Sequence, residues 1–245
     1  WRYYLYRIMT FSTKSNFLFA SSKEAYNLLY DQLKSYDQLI LLTDENTATH
    51  CKDHFAKQLN IQFDLELTID AGEANKTLEV CQSIWGKMLS SGIQRNAALV
   101  VLGGGLLTDL GGYIAACYKR GIDHCNIPTT LLSMVDAAYG GKTGVNFNGI
   151  KNQIGAFKNP EAVLFDKAYL NTLSRVQMIS GFAEVLKHAL IADSILWNKI
   201  LADGIFENQD LEYCIQNSIE IKTSIAAIDP LELNVRKKLN FGHTI

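Results

Sequence analysis

The sequence lacks an excess of either charge. It has 23 Lys and Arg and 25 Asp and Glu, which give a formal net charge of −2 over 245 residues. A chain this close to neutral creates no broad field for a polyanion, so we expect neither nucleic acid nor a membrane as a partner. Any anion that binds must therefore be held by local cations.

Long apolar runs and paired cysteines are missing as well. No apolar run approaches the roughly 18 residues that a membrane helix requires. The five cysteines are scattered without a C-x-x-C pair, which argues against a disulfide framework and against a zinc–thiolate site. We therefore expect a soluble protein in a reducing compartment, the cytoplasm.

Neither a Pro-, Gly- or Ser-rich linker nor an internal repeat divides the chain. Patterns typical of short buried strands lie at 39–42, 63–69, 97–102, just before Pro128, and at 163–165. Helical spacing lies between them, up to about Leu59, at 77–89 and up to about Lys119. Strands that alternate with helices predict an α/β fold with a parallel sheet.

Beyond about Ala168 the strand patterns fade, and helical spacing continues at 179–191, 195–201 and 211–227. This change predicts an α/β domain over 1–172, followed by the beginning of a helical domain over 173–245. Residues 1–8 precede Met9, a candidate initiator, and we expect them to be non-native or disordered. The chain ends without a cap or a charged tail, so we interpret it as a fragment.

Three glycines at 103–105 follow one strand pattern and precede a helical one. Glycines at this place let the backbone approach a pyrophosphate, and the helix N-terminus adds partial positive charge. The run does not complete G-x-G-x-x-G, so a tight turn without a ligand stays open. Asp109 is either a site residue or an acid stabilised by the helix dipole. Asp44, after the first strand, suits a ribose diol or simply caps a helix.

Cations near glycines suit a phosphorylated substrate. The run GGKT at 140–143 resembles the end of a P-loop, but Asp136 stands where that pattern requires a glycine. Lys142, Lys151 and Asn152 can still contact a phosphate or a carboxylate. These residues therefore predict an anion site without a nucleoside triphosphate motif.

Two groups have the spacing of helix neighbours. Glu184, Lys187 and His188 lie at i, i+3 and i+4, so a carboxylate and an imidazole can reach one metal ion, although a solvated polar face is the commoner arrangement. For Glu73 and Lys76, three apart at a helix start, pairing at the surface is the default interpretation. A late polar series completes the candidates: Lys222, Arg236, Asn240 and His243.

Taken together, these residues resemble the 3-dehydroquinate synthase family of the sugar-phosphate cyclase group. Five runs within about 39–245 carry the resemblance: GGGLLTDLGGY, IPTTLLSMVDAAYGGKTGVN, KNQIGAF, GFAEVLK and LNFGHT. The resemblance implies a Rossmann-like NAD-binding domain with a parallel sheet. An all-α metal- and substrate-binding domain follows it, of which only the first part is present.

The resemblance also implies an activity. The family converts 3-deoxy-D-arabino-heptulosonate 7-phosphate to 3-dehydroquinate and phosphate in the shikimate pathway, which leads to aromatic amino acids. The reaction begins with transient oxidation of the substrate by NAD. Phosphate elimination, re-reduction and aldol closure follow in that order. NAD is regenerated in each turnover, and a divalent metal, usually zinc and alternatively cobalt, acts as a Lewis acid.

Residue roles follow from the matched motifs. The resemblance implies metal ligation by Glu184 and His243, and a structural role or one behind the metal ligands for His188. It implies NAD contacts by Asp44, Glu73, Lys76, Gly104, Gly105, Asp109, Thr129, Thr130, Lys151 and Thr172. It implies substrate contacts by Arg120, Asp136, Lys142, Asn152, Lys187, Lys222, Arg236 and Asn240. Catalytic roles are expected for Lys142, Lys187, Asn240 and His243. Arg120 would reach the substrate phosphate of a neighbouring subunit, which implies a homodimer.

The sequence departs from the family pattern after His243. The family has two further histidines after His243, one of them the third metal ligand, and a later phosphate-binding lysine. With two protein ligands a zinc site is incomplete, so we expect this piece not to turn over substrate, although its parent does.

Three alternative functions stay open. They are another sugar-phosphate cyclase, a glycerol-dehydrogenase-like oxidoreductase, and a non-catalytic NAD-binding chain.

Overall fold

The structure, a computed structural model, describes residues 16–20, 23–204 and 210–242. Its strands are β1 (Asn16–Phe19), β2 (Gln38–Asp44), β3 (Leu65–Ile69), β4 (Ala97–Gly103), β5 (Asp123–Pro128), β6 (Lys142–Phe147), β7 (Ile150–Phe157) and β8 (Ala162–Phe165). Its α-helices are α1 (Lys23–Leu33), α2 (Glu45–His50), α3 (Lys52–Leu59), α4 (Leu78–Ser90), α5 (Gly105–Cys117), α6 (Arg175–Ala192), α7 (Ser194–Asp203) and α8 (Leu211–Ile228). Short 3-10 segments lie at Glu73–Asn75, Tyr118–Arg120, Lys167–Thr172 and Val235–Asn240, and a π-helical turn, the π turn, spans Ser133–Ala137.

Strands β1 to β5 and β8 form one parallel sheet in the order β1-β8-β5-β4-β2-β3. Every residue of β4 is buried, because a parallel sheet covered on both faces favours an uninterrupted apolar strand. The register places Val101 of β4 beside Leu42 of β2 and Asn126 of β5. The predicted α/β fold with a parallel sheet is confirmed.

Helices cover both faces of the sheet and create two hydrophobic cores. One core contains Met88 of α4 and Leu110 of α5. The other begins at α1 and α3 and continues into α6, α7 and α8 through Phe182, Ile200 and Ile219. The later helices therefore pack on the same core as the sheet. Beyond Phe165 the described elements are helical, and a domain division at residue 172 stays a prediction.

A hairpin of β6 and β7 stands apart from the main sheet and is paired antiparallel. Asn148 and Gly149 form its tip with φ of 50° and 77°, which a two-residue type I′ turn requires. The sequence pattern does not predict this hairpin, nor β1 and α1, and it begins β3 two residues before Leu65. The hairpin matters because it carries Lys142 and Asn152.

Within the described residues, no helix combines the length and the apolar character that crossing a bilayer needs. Two predictions fall outside the described residues, those for residues 1–8 and for His243.

Candidate active site

A cavity of about 560 Å³, here the central cavity, lies between the hairpin, the π turn, α8 and the 3-10 helix Val235–Asn240. Most residues predicted to contact substrate line it: Asp136, Lys142, Asn152, Lys222, Arg236 and Asn240. Lys187 and Arg120 do not line it. A more open cleft of about 710 Å³ shares Asn240 but has none of the other residues in that set, so we place the candidate site in the central cavity.

Asp136 and Lys222 form the paired charges at the base of the central cavity. Lys222 Nζ donates to Asp136 Oδ1 at 2.5 Å and also to the Asp136 carbonyl. The same ammonium lies 4.9 Å from the ring centroid of Tyr139, a cation–π contact. Burial alone raises the pKa of Asp136, but the Lys222 ammonium outweighs it and holds that pKa at about 2. The carboxylate is therefore ionised at neutral pH.

Arg236 is a buried cation, 2% exposed. Its Nη2 donates to Gly140 O at 3.0 Å and its Nη1 to Pro230 O at 2.8 Å, while its Nε has no hydrogen-bond partner among the described residues. Burial lowers the pKa of the guanidinium. Arg236, which borders the central cavity, therefore joins the loop after the π turn to the segment after α8.

Lys142 opens strand β6 and faces the same cations. Its ammonium contacts the Glu232 carboxylate, and Glu232 also accepts from Asn240 Nδ2 at 2.6 Å. Burial, followed by the charges of Arg236 and Lys222, lowers the pKa of Lys142 to about 8. The sequence patterns do not predict a role for Glu232. Glu232 lies on an irregular segment between α8 and the 3-10 helix Val235–Asn240, with φ of 59°, so the sequence carries no periodic signal for it.

Lys76 does not pair with Glu73 at the surface, so that default interpretation is wrong. Lys76 is 4% exposed, and its Nζ donates to Asp109 Oδ2 and to Asn152 Oδ1, each at 2.6 Å. Glu73 accepts instead from Asn146 Nδ2 at 2.9 Å. One buried ammonium therefore joins the glycine-turn helix α5 to the hairpin.

Asp109 lies beyond the first turn of α5, so it is not an acid stabilised by the helix N-terminus. Burial raises its pKa, and the Lys76 ammonium opposes that shift. Its carboxylate borders the central cavity. Asp109 thus lies between the glycine turn and the predicted substrate residues.

Several residues predicted to contact NAD lie at the carboxyl ends of the parallel strands: Asp44 at the end of β2, Gly104 and Gly105 after β4, and Thr129 and Thr130 after β5. Helix α5 begins after Gly104, which supplies no side-chain cap, so its first amides are free for an anion. A Cβ at Gly104 would lie 3.1 Å from Thr130 Cγ2, and one at Gly105 would lie 3.0 Å from Ala137 Cβ. Thr129 N donates to Gly103 O at 3.0 Å and ties β5 to this turn.

Asp44 and Thr172 lie further along the same edge. Asp44 Oδ1 accepts from Thr47 N at 2.8 Å and caps α2, so the helix-cap interpretation holds for this residue. Thr172 Oγ1 donates to Tyr169 O at 2.7 Å and lies 4.0 Å from Cys51 Sγ. Their roles in nucleotide binding stay predictions, as does that of Lys151, whose side chain is 74% exposed and lies 3.9 Å from Glu73.

Glu184, Lys187 and His188 are buried on α6, so a solvated polar face is excluded for them. His188 Nε2 lies 3.4 Å from Glu184 Oε1, and Lys187 Nζ contacts Glu184 and Leu239 O. Burial raises the pKa of Glu184, but His188 and Lys187 lower it below its ordinary value. Asp136, Glu184 and His188 offer ligand atoms within 4.8 Å of one another, and carboxylate oxygen with imidazole nitrogen is a donor set that divalent metals accept.

Arg120 lies on an exposed left-handed turn. Lys119, Arg120 and Gly121 have φ of 47°, 71° and 114°. Non-glycine residues adopt such φ values only at a cost in conformational free energy. Residues strained in this way cluster at functional sites. The turn displays Arg120 to the outside rather than into the central cavity.

The fold first defines a class, that of the sugar-phosphate cyclases. A 2-epi-5-epi-valiolone synthase from Streptomyces hygroscopicus subsp. jinggangensis 5008, with NAD⁺ and Zn²⁺ bound, is 29% identical with a TM-score of 0.84, over 99% of this chain and 68% of that one. A 2-deoxy-scyllo-inosose synthase complexed with carbaglucose-6-phosphate, NAD⁺ and Co²⁺ is 25% identical with a TM-score of 0.83, over 94% of this chain and 64% of that one.

Sequence comparison then narrows the class. The family description for the 3-dehydroquinate synthase N-terminal region matches residues 66–180, and that for the C-terminal region matches residues 181–245. The 3-dehydroquinate synthase of Parabacteroides distasonis is 41% identical over 230 residues, which are 91% of this chain and 64% of that protein. The chain belongs to the 3-dehydroquinate synthase family, and it spans less than two thirds of the length of this relative.

Proposed function

We propose that this chain carries the NAD- and substrate-binding machinery of an enzyme that converts 3-deoxy-D-arabino-heptulosonate 7-phosphate to 3-dehydroquinate and phosphate. The observation that supports it most is the central cavity. Predicted substrate residues reach this one space from four elements: the hairpin, the π turn, α8 and the 3-10 helix that follows α8. Scattered surface charges have no reason to converge in this way.

The charges of the cavity suit a substrate with a phosphate and a carboxylate. Lys142, Lys222 and Arg236 place three cations around one space, in a chain whose formal net charge is −2. Planar guanidinium and mobile ammonium groups are the usual partners of these two anions. Asp136 and Asn152 add acceptors for the hydroxyl groups of a sugar acid.

The glycine turn fits a dinucleotide. Helix α5 has uncapped N-terminal amides, and the space beside Gly104 and Gly105 is one that a Cβ would restrict. A pyrophosphate binds where the glycine backbone can approach it closely and where unpaired N–H groups of the helix N-terminus can donate to it. Asp109, paired with Lys76 at 2.6 Å, lies on the next turn of the same helix.

Glu184 fits a divalent metal, with His243 as the proposed second ligand. Both structural relatives above have a divalent metal bound, and His188 lies 3.4 Å from Glu184, where it can orient the carboxylate. When bound, NAD supplies a reversible hydride acceptor and the metal supplies Lewis acidity. We propose zinc as the metal.

Lys142 lines the cavity and is the group placed to hold and move a proton there, and Glu232 contacts it. A pKa of about 8 for Lys142 leaves it mostly protonated at pH 7, yet close enough to neutrality to exchange its proton. Glu232 contacts both Lys142 and Asn240, so one carboxylate orients two proposed catalytic side chains. Lys187 is held by Glu184 and Leu239 O.

Arg120 supports the proposal of a homodimer. It is displayed on a left-handed turn away from its own cavity, as a residue that completes a neighbour's site would be. Cytoplasmic location and the absence of nucleic-acid or membrane partners stay predictions from the sequence.

The test is substrate choice by the natural full-length protein, supplied with NAD and zinc. Phosphate release is measured with 3-deoxy-D-arabino-heptulosonate 7-phosphate and, separately, with glucose 6-phosphate, which has no carboxylate. We expect release from the first only, and a loss of about a hundredfold in kcat/KM for Arg236→Met. Release from glucose 6-phosphate alone would instead assign a different cyclase activity.

A further inference from the structure

Asn126 is a polar side chain in the middle of the buried strand β5. It is 3% exposed, and it lies beside Val101 of β4 and Val163 of β8 in the sheet register. Burial of an amide is unfavourable unless the amide makes hydrogen bonds. Its position therefore requires an explanation that apolar packing does not supply.

The side chain of Asn126 has one hydrogen bond, and it is directed at a loop. Nδ2 donates to Ala138 O at 2.9 Å, whereas Oδ1 has no hydrogen-bond partner among the described residues. The reverse amide orientation would place two oxygens face to face, so the amide must donate to this carbonyl. The Asn126 amide therefore bonds to a loop carbonyl and not to a group within the sheet.

Ala138 is the residue that caps the end of the π turn. Ala138 N donates to Ser133 O at 3.0 Å, five residues earlier. Hydrogen bonds of this π-helical spacing occur mostly as single turns, and such turns are frequent at functional sites. Tyr139 Oη donates to Val135 O at 2.5 Å. Side chains therefore hold a backbone carbonyl on each side of Asp136.

The π turn and the loop that follows it each provide one contact at the central cavity. Asp136 accepts from Lys222 through its carboxylate and its carbonyl, and the next loop carbonyl, at Gly140, accepts from Arg236 at 3.0 Å. Both Lys222 and Arg236 are almost fully buried. A small shift of the turn would therefore change the position of both cations relative to the cavity.

We propose that Asn126 is a positioning residue for substrate binding. Its amide fixes the Ala138 carbonyl, the π turn then holds Asp136, and Asp136 holds Lys222. The proposal rests on the proposed function, since the substrate is the one assigned there. It adds a requirement inside the sheet, at a residue that does not itself line the cavity.

The experiment uses the natural full-length protein and the release of phosphate from 3-deoxy-D-arabino-heptulosonate 7-phosphate. Asn126→Leu keeps the size of the side chain and removes the donor. We expect KM to rise about five- to tenfold, the factor that corresponds to one lost hydrogen bond. A purely structural role would reduce the amount of folded enzyme and leave KM unchanged.

Two further variants keep the test decisive. Tyr139→Phe removes the other bond to the turn, and its KM should rise in the same direction, which decides the matter if Asn126→Leu fails to fold. Tyr118→Phe is the matched control, because it removes a buried bond of the same kind, Oη to Ile93 O at 3.1 Å, away from the turn. Its KM should stay within about twofold.

The outcomes separate the two proposals. Phosphate release by the unaltered protein, with an unchanged KM in Asn126→Leu or, if that variant does not fold, in Tyr139→Phe, overturns the role of Asn126 alone. No release by the unaltered protein overturns the proposed function and this inference with it. A raised KM in Tyr118→Phe equal to that of Asn126→Leu would also overturn the inference.

Discussion

Replacing Lys76 by Met tests the link between the glycine-turn helix and the hairpin. The substitution removes the ammonium that bonds to Asp109 and Asn152 at 2.6 Å and keeps most of the buried side-chain volume. Breaking a buried ion pair from one side leaves an uncompensated charge and costs about 3 to 5 kcal/mol. The side chains of Lys76 and Asp109 are 5% and 22% exposed. Because water still reaches the carboxylate, we expect the lower end, about 3 kcal/mol.

The same substitution has a defined pH dependence. Burial already raises the pKa of Asp109 above its ordinary 3.8, with Lys76 in opposition, so removing Lys76 raises it further. A carboxyl whose folded pKa exceeds its unfolded pKa makes the folded state bind more protons, so the free energy of unfolding falls as pH rises through that window. The deficit of Lys76→Met should therefore be largest at neutral pH and shrink as the pH is lowered towards 4.

The assay is urea unfolding of the chain, followed by circular dichroism between pH 4 and pH 7. The double variant Lys76→Met/Asp109→Asn is the control, because it removes the stranded charge and should recover roughly half of the loss. A deficit below about 1 kcal/mol at pH 7, or one that does not change with pH, would refute the reasoning.

Three further predictions follow from single contacts. The pKa of Lys142, measured by competitive acetylation and mass spectrometry, should be about 8, and Arg236→Met should raise it because a neighbouring positive charge is removed. Gly104→Ala should weaken NAD binding, measured by titration calorimetry, at least tenfold, since its Cβ lies 3.1 Å from Thr130 where a pyrophosphate needs close approach. Asp44→Ala should lower the free energy of unfolding by about 1 kcal/mol in urea titrations, because it removes the cap of α2.

Gly86→Ala is the match for Gly104→Ala, since a Cβ there meets nothing within 4 Å; it should leave NAD binding unchanged and stabilise the helix by up to about 1 kcal/mol. An ordinary lysine pKa for Lys142, or one that Arg236→Met leaves unchanged, would contradict the electrostatic account. For Asp44, an unchanged midpoint would show that the capping bond contributes nothing.

Burial determined how much of the fold the sequence could predict. Strand β4 is buried on both faces, so its apolar run from Ala97 to Leu102 is unambiguous. The hairpin is half exposed and rich in glycine, so its strands have no periodic pattern to find.

The candidate site was predictable through motif resemblance rather than through local pattern. Spacing alone favoured surface pairing for Lys76, because the sequence cannot show that Asp109 and Asn152 come from distant elements to meet it. Glu232 was missed for a related reason. It has φ of 59° on an irregular segment, where helical spacing carries no structural meaning.

The central claim is that NAD acts within a cycle that eliminates phosphate. The most direct measurement follows phosphate, 3-dehydroquinate and absorbance at 340 nm together during turnover of 3-deoxy-D-arabino-heptulosonate 7-phosphate by the natural protein. We predict one phosphate and one 3-dehydroquinate for each substrate consumed, without net accumulation of NADH. Accumulation of NADH in proportion to substrate, with no phosphate released, would contradict the account and assign a simple dehydrogenase.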